Sequence, residues 1–202
     1  MMDDRAVLAA LVGSRLCHDL ISPIGAIQNG LELVSLAGSG GDTGPEMALI
    51  QDSCDSASAR IRFFRVAFGS ASDTKAIGAS EVAATFEATT RIGRVKADWQ
   101  IAERLPRTDV QLAFLAFMCA ESALPLGGSV VMTRQGGVTT VRGEGARIKA
   151  DPETWGLLAG SGTLAQVTPA QVQFALLSTL ARDRNVRLLA EPTEDAVTIT
   201  IG

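Results

Sequence analysis

The sequence contains few of the side chains on which most enzyme chemistry depends. Its 202 residues include one histidine and three cysteines. A zinc site of the usual type needs several cysteine or histidine ligands. A serine-histidine-acid triad would have to be built around the single histidine, His18. Any histidine chemistry in this chain must therefore take place at His18.

Long basic runs and targeting segments are also missing from the sequence. The net charge is −4 and lysine and arginine are scattered, whereas a nucleic-acid partner needs a basic footprint. The N-terminus is acidic, and the apolar positions that follow are interrupted by Arg15, His18 and Asp19 before they reach the length of a signal peptide or a membrane span. We therefore expect a cytoplasmic protein with neither nucleic acid nor membrane as a partner.

The three cysteines are far apart in sequence and odd in number, which argues against a disulfide framework. They are Cys17, Cys54 and Cys119. Cys17 precedes His18, but adjacent positions on a helix do not face each other. We expect all three to be reduced thiols that pack as small apolar groups.

The residues around His18 have the spacing of a long amphipathic helix. The apolar positions that recur by three and four are Leu16, Leu20, Ile24, Ile27, Leu31 and Val34. On a helical wheel His18 lies about 200° from Leu16 and so points away from this stripe. Its neighbours at helical spacing are small or polar, namely Ser14, Ser22, Gly25, Asn29 and Glu32. The pattern predicts a docking surface around an exposed imidazole, and the alternative is a surface histidine without a role.

Two helices are predicted in the first third of the chain. The first runs from about residue 3 or 4 to about 37 and contains Pro23, where we expect a bend; the alternative is a break into two short helices. After a polar loop at 38–42, Thr43 and Glu46 predict a capping box for the second helix. The apolar residues of that helix are Met47, Ile50, Cys54, Ala57, Ile61, Phe64 and Phe68.

An antiparallel hairpin of two helices has too little partner surface to cover both apolar stripes. We therefore predict that two copies pair into a dimeric four-helix bundle, so that the protein is a homodimer. The alternative is that the hairpin packs on the second half of its own chain.

Residues 69–74 are small and polar and predict a linker between a domain at 1–70 and a domain at 71–202. In the second domain we expect a helix from Ser80, a strand at 96–102, and a helix that a capping box opens at Thr108. A hairpin of strands at 130–134 and 138–142 follows, and then a short helix at 151 and a longer one from 168. The last strands are at 186–190 and 196–201. This order indicates an α+β sandwich with helices on one face of an antiparallel sheet.

The run of residues 15–33, with His18, Asp19 and Pro23 at its centre, resembles the phosphoacceptor motif of the ChpT-like histidine phosphotransferases of alphaproteobacteria. It is also similar, more distantly, to the His-Asp/Glu-Leu-x-x-Pro box of dimeric sensor histidine kinases. The resemblance implies a phosphorelay in which His18 carries a phosphoryl group between aspartates of receiver domains and Asp19 orients the imidazole ring. The docking patch that it implies consists of Ser14, Arg15, Ser22, Gly25, Gln28, Asn29 and Glu32.

The same resemblance implies the partners of this chain and the nature of its second domain. The partners would be receiver domains of response regulators and of a hybrid histidine kinase, which supply their own Mg²⁺. The second domain would be a degenerate kinase-like ATPase domain. Arg15, one helical turn before His18, would place a positive charge near the phosphoryl group; the alternative is an arginine that pairs with a surface acid.

Signals for nucleotide binding are absent from residues 71–202. Asn185 is the only asparagine there, whereas the kinase fold holds magnesium and phosphates with asparagines on a helix. Neither Asp-x-Gly-x-Gly nor a Walker loop occurs. We expect no cofactor, metal or nucleotide on this chain. The alternative functions are an autophosphorylating histidine kinase and a non-catalytic dimeric signalling scaffold.

Overall fold

The chain begins with an antiparallel pair of long helices. The computed structural model describes residues 4–37, 43–70, 76–161 and 163–202. Helix α1 spans Asp4–Ala37 and helix α2 spans Gly44–Ala67. Gly30 lets the two helices approach closely, since a Cβ atom there would lie 2.6 Å from Cγ1 of Ile50. The predicted helical hairpin is thus observed.

Helix α1 continues through Pro23, which is buried, so the two-helix alternative is wrong. The predicted capping box at the start of α2 is also wrong, because the Thr43 side chain makes no capping hydrogen bond. Its carbonyl oxygen instead accepts from the backbone N–H of Met47 at 3.0 Å. The predicted loop at 38–42 and most of the predicted linker lie outside the described residues.

The second half of the chain contains a five-stranded mixed sheet. Its strands are β2 (Val95–Trp99), β4 (Gly128–Gln135), β5 (Val138–Glu144), β6 (Leu188–Pro192) and β7 (Ala196–Ile201), in the spatial order β2-β4-β5-β7-β6. The expectation of a fully antiparallel sheet is wrong at one edge. Strand β2 pairs parallel with β4, because a helix crosses between them in the chain.

Helices cover the sheet on the side that carries the core. They are α3 (Ala79–Thr90), α4 (Arg107–Ser122), the short α5 (Pro152–Gly156) and α6 (Val172–Asp183). Helices α3 and α4 contact the sheet, and α6 packs on α4. The two-residue strands β1 (Ala76–Ile77) and β3 (Leu105–Pro106), which were not predicted, pair antiparallel at the edge of the helical layer. The mixed α+β class is confirmed.

Two predicted helix caps in this half, Ser80 for α3 and the capping box at Thr108 for α4, are wrong. Helix α3 is capped by Gly78 and helix α4 by Pro106, and neither cap makes a side-chain hydrogen bond. The residue expected to close a capping box in α4, Gln111, turns its side chain toward the end of α2. Its Nε2 donates to the carbonyl oxygens of Ala67 at 3.1 Å and of Gly69 at 2.8 Å. The buried side-chain amide of Gln111 thus joins the two halves of the chain.

Two other predicted starts are observed. The side chain of Asp151 caps α5, where it accepts from the backbone N–H of Thr154 at 2.9 Å. These hydrogen bonds from Thr154 lower the pKa of the Asp151 carboxyl. Thr168 forms a capping box with Gln171, although on a 3-10 turn, Pro169–Gln171, that precedes α6.

One hydrophobic core joins the two halves of the chain. Phe63 on α2 is buried and its ring stacks on Phe114 of α4, with ring centroids 4.7 Å apart. Near the start of α1, Leu8 packs in a second cluster with Val172 and Ala175 of α6. The end of the hairpin therefore packs on the second half of its own chain, as the alternative to dimerisation proposed. The domain boundary at residue 70 stays a prediction.

The other end of the hairpin exposes a large apolar surface. The exposed residues on α1 and α2 are Ile21, Ile24, Leu31, Leu33, Leu36, Met47, Leu49 and Ile61. Four of these residues, Ile24, Leu31, Met47 and Ile61, were predicted to face a helical partner, and they are uncovered in a single chain. The segment Asp4–Leu36 is also long and apolar enough to cross a membrane by length and composition alone, which is weak evidence for a span.

The three cysteines differ in burial. Cys119 is buried and Cys54 is half-buried, as expected, but Cys17 is exposed, so its predicted packing role is wrong. Complete burial raises the pKa of the Cys119 thiol. The thiol therefore stays protonated, and a protonated thiol is a poor nucleophile.

We expect the native protein to react rapidly with a thiol reagent at Cys17 and not at Cys119, which should become reactive only when the protein is unfolded. Counting modified thiols by mass spectrometry before and after denaturation tests this. The Cys17→Ala variant is the control, and it should lose the fast phase alone. Rapid modification of Cys119 in the native protein would contradict the described core.

Candidate functional site

His18 lies where α1 separates from the second half of the chain. The residues of α1 that pack against the hydrophobic core are Leu8, Leu11, Val12 and Leu16, all of which precede it. Its own side chain is 86% exposed. The imidazole is therefore held on a helix that is fixed on its N-terminal side, and it remains accessible to the active site of another protein.

The ring is oriented by the acid that follows it. Nδ1 of His18 lies 3.0 Å from Oδ1 of Asp19. An ionised carboxylate only accepts hydrogen bonds, so Nδ1 must carry the proton and donate it to Asp19. In the neutral ring the lone pair is then on Nε2, the nitrogen farther from the backbone. This tautomer leaves a nucleophilic nitrogen unobstructed by Asp19.

Asp19 is itself held by Arg15. Nε of Arg15 donates to Oδ2 of Asp19 at 2.6 Å, and Nη1 donates to the carbonyl oxygen of Ala170 at 3.1 Å. The side chains of Asp19 and Arg15 are 12% and 22% exposed, in contrast to that of His18. The alternative in which Arg15 pairs with an acid is therefore observed, and the acid is the partner of the histidine.

A cleft of about 220 Å³ lies behind this ion pair, between the hairpin and helices α3 and α4. Its charged lining consists of Arg15, Asp19, Arg60 and Glu121, and Phe63 and Phe117 are among its apolar residues. Burial raises the pKa of Glu121, although Arg15 and Arg60 lower it; Asp19 raises it further. Part of the Glu121 side chain is exposed at the mouth of the cleft.

Most of the residues predicted to form the docking patch lie on the surface. Those with exposed side chains are Ser14, Ser22, Gln28, Asn29 and Glu32. Gly25 is half-buried, and open space surrounds the position of a Cβ atom there. Arg15 is turned from this surface toward Asp19 and Ala170, so its predicted contact with a partner stays a prediction.

Three neighbours of the site, Ala170, Arg60 and Glu121, were not predicted. Ala170 is 155 positions from Arg15, and its contribution is a backbone carbonyl, which has no signature in the sequence. Glu121 follows a buried segment of α4 and had no motif around it.

In chemical terms, the site offers one accessible nitrogen nucleophile and a carboxylate that accepts from the other ring nitrogen. Within the described ranges, no group of three or more histidine, cysteine, aspartate or glutamate side chains is arranged to hold a metal ion. A nucleophilic imidazole of this kind suits covalent group transfer with a partner that brings the rest of the active site.

Comparisons with known proteins agree with this chemistry. The family described as Histidine phosphotransferase C-terminal domain matches residues 79–196. The protein phosphotransferase ChpT of Brucella abortus (strain 2308) is 31% identical over 196 residues, which cover 94% of this chain and 92% of that protein.

One solved structure gives the same result for the fold. A bacterial phosphotransferase structure at 1.7 Å resolution superposes with a TM-score of 0.79 at 30% identity, over 96% of this chain and 95% of that chain. The histidine kinase AdeS of Acinetobacter baumannii gives a TM-score of 0.47 at 11% identity, over 91% of this chain and 95% of that chain.

A matched family domain over more than half of the chain and a relative of nearly the same length together establish the relationship. The protein belongs to the ChpT-like family of histidine phosphotransferases, which act in phosphorelays.

Proposed function

We propose that this phosphotransferase carries its phosphoryl group on Nε2 of His18, which takes it from the aspartate of one receiver domain and returns it to the aspartate of another. The observation that supports this most directly is the hydrogen bond from Nδ1 of His18 to Asp19. It assigns the lone pair to the outward nitrogen of a side chain that is almost fully exposed.

The groups on this chain that take part directly in the transfer are the imidazole and its carboxylate. The Nε2 lone pair forms a bond to phosphorus while the bond from phosphorus to the aspartyl oxygen breaks, and the electron pair of that bond returns to the aspartate as a carboxylate. The ring keeps its Nδ1 proton and becomes positively charged. Asp19 stabilises that charge as it develops. The reverse step restores the neutral ring.

The chain binds no cofactor in this proposal, and the receiver domain supplies the Mg²⁺ that stabilises the transferring group. ATP is not a substrate. The proposal is supported by the sequence of residues 71–202, in which Asn185 is the only asparagine and no nucleotide-binding motif occurs. The partners are receiver domains of response regulators and of a hybrid histidine kinase.

The exposed apolar surface of the hairpin supports a homodimer with a four-helix bundle. A groove lined by Val12, Leu16, Leu20, Ile61 and Phe68 adjoins the exposed apolar residues of both helices. A second copy of the hairpin would cover this surface with side chains of the same kind. This arrangement also gives the apolar character of α1 a role in a protein of the cytoplasm, where its partners reside.

We expect His18→Gln to accept no phosphoryl group from a phosphorylated receiver domain, and Asp19→Ala to accept it about 100-fold more slowly, because the ring loses its orienting acceptor. Asp19→Asn should be less impaired, since an amide oxygen still accepts from Nδ1. The measurement is the transfer of ³²P from the receiver, resolved by rapid quenching.

The control for this assay is Asp195→Ala, which removes an exposed acid from the turn between β6 and β7. Stable label on the wild-type protein after incubation with ATP alone would instead select the kinase alternative. Undiminished phosphoryl flow between two receivers through His18→Gln would select the scaffold alternative.

Gly25 and Gly13 provide a matched pair for testing the docking surface. Both lie in α1 with open space around the position of a Cβ atom, so Gln at either position should favour the helix. Gly25 is within about 20° of His18 on the helical wheel, and Gly13 is about 140° away. We expect Gly25→Gln to raise the receiver concentration needed for half-maximal transfer about tenfold. Gly13→Gln should leave it unchanged, and equal effects of the two would contradict the patch.

We expect Ile61→Glu to convert a dimer into monomers, because it places a charge in the proposed interface. Light scattering after size exclusion measures the mass directly. The matched control is Ile92→Glu, which changes an isoleucine that is also exposed but lies outside the hairpin. A monomeric wild-type protein at micromolar concentration would contradict the bundle.

A further inference from the structure

We infer that Arg15 is a positioning residue that fixes the carboxylate of Asp19 and, through the carbonyl of Ala170, makes the second half of the chain part of the phosphoacceptor site. The inference rests on the proposed role of His18. It assigns to Arg15 a function that differs from contact with the phosphoryl group or with a docked receiver.

The two oxygens of Asp19 accept hydrogen bonds from different donors. Oδ1 accepts from the His18 ring at 3.0 Å and Oδ2 accepts from Nε of Arg15 at 2.6 Å. Rotation of the carboxylate away from the ring would break the shorter, charge-assisted bond. Arg15 therefore holds Asp19 in the one orientation that selects the Nδ1–H tautomer.

Further charged side chains lie behind the ion pair of Arg15 and Asp19. Asp19 raises the pKa of Glu121, so the two carboxylates repel each other within the cleft. Arg15 lies near both of them. Arg60 lines the same cleft and has no ion pair within the described part of the chain. Without Arg15, the carboxylate of Asp19 would lose the cation that holds Oδ2, while Glu121 would still repel it and Arg60 would remain in the same cleft as another cation.

Arg15 is itself held by the second half of the chain. Nη1 donates to the carbonyl oxygen of Ala170, in the 3-10 turn Pro169–Gln171. The side chain of Gln171 fixes this turn. Its Oε1 accepts from Oγ1 of Thr168 at 2.9 Å, and its Nε2 donates to Oγ1 of Thr154 at 2.7 Å. Hydrogen bonds, together with the backbone from Ala170 to Gln171, therefore connect α5 with the carboxylate that orients His18.

This connection gives the second half of the chain a role in a protein that transfers phosphate without a nucleotide. The side-chain hydrogen bonds of Gln171 that fix the turn presenting Ala170 are all made within the C-terminal half. A guanidinium suits the contact because its planar fork offers several donors in fixed directions, so one side chain can hold the carboxylate and the carbonyl together.

The test uses the single histidine of the chain, whose ring gives the only imidazole signals in a ¹⁵N NMR spectrum. The ¹⁵N shifts of Nδ1 and Nε2 report which nitrogen carries the proton. At a pH where the ring is neutral, we expect mainly the Nδ1–H tautomer in the wild type. In Arg15→Ala the Nε2–H form should become the major one, and phosphoryl acceptance should slow about tenfold.

Two further variants separate the charge of Arg15 from its geometry and test whether the turn at Ala170 affects His18. Arg15→Lys keeps the positive charge but has no fork, so it should restore the tautomer and the rate only in part. Gln171→Ala loosens the turn and leaves the sequence of α1 unchanged, and it should shift the tautomer ratio toward Nε2–H by less than Arg15→Ala does. In the double variant with Arg15→Ala, Gln171→Ala should cause no further shift. The control is Arg187→Ala, an exposed arginine without an ion pair in the described ranges.

A wild-type tautomer ratio in Arg15→Ala would overturn the inference, whatever the rate. A slower rate with an unchanged ratio would mean that Arg15 acts on the receiver or on the phosphoryl group. An unchanged ratio in Gln171→Ala would remove the second half of the chain from the account. If the wild type accepts no phosphoryl group, the proposed function fails, but the tautomer ratios still decide the role of Arg15.

Discussion

The site depends on the two hydrogen bonds that the carboxylate of Asp19 accepts, one on each of its oxygens. One oxygen accepts from the imidazole and the other from the guanidinium of Arg15, so the acid is almost enclosed while the histidine projects into solvent. An exposed ring on a helix ordinarily samples several rotamers and both tautomers. Here a partly buried ion pair restrains the ring from one side and leaves Nε2 open on the other. A relay intermediate needs both properties, since it must present the same nitrogen to different partners.

The packing of α1 explains how this arrangement is kept. Its first half is tied to α6 and to the turn at Pro169–Gln171, whereas its second half carries the exposed apolar residues that we assign to a second copy. His18 lies between the packed first half of α1 and its exposed second half. The core that joins α2 with α3 and α4, with Phe63 at its centre, holds the hairpin against the rest of the chain. The hairpin thus has a fixed base and an exposed apolar surface, which we propose as the surface for dimerisation.

Much of this arrangement was predictable from the sequence, because helical periodicity is a local property. The extent of α1, the outward direction of His18 and the exposure of most of its neighbours all follow from spacing by three and four residues. The resemblance of residues 15–33 to a phosphoacceptor motif predicted the family. Long-range contacts were not predictable in this way. The parallel pairing of β2, the turn of Gln111 toward α2 and the contact of Arg15 with Ala170 each join distant segments, and a backbone carbonyl leaves no mark in the sequence.

The central claim is that Nε2 of His18 bears the phosphoryl group, and NMR of the phosphorylated protein tests it most directly. In a sample with ¹⁵N-labelled histidine, a bond between phosphorus and nitrogen produces a coupling between ³¹P and that nitrogen. We predict coupling to Nε2, with Nδ1 still protonated. Coupling to Nδ1, or a phosphoryl group without coupling to either nitrogen, would contradict the account.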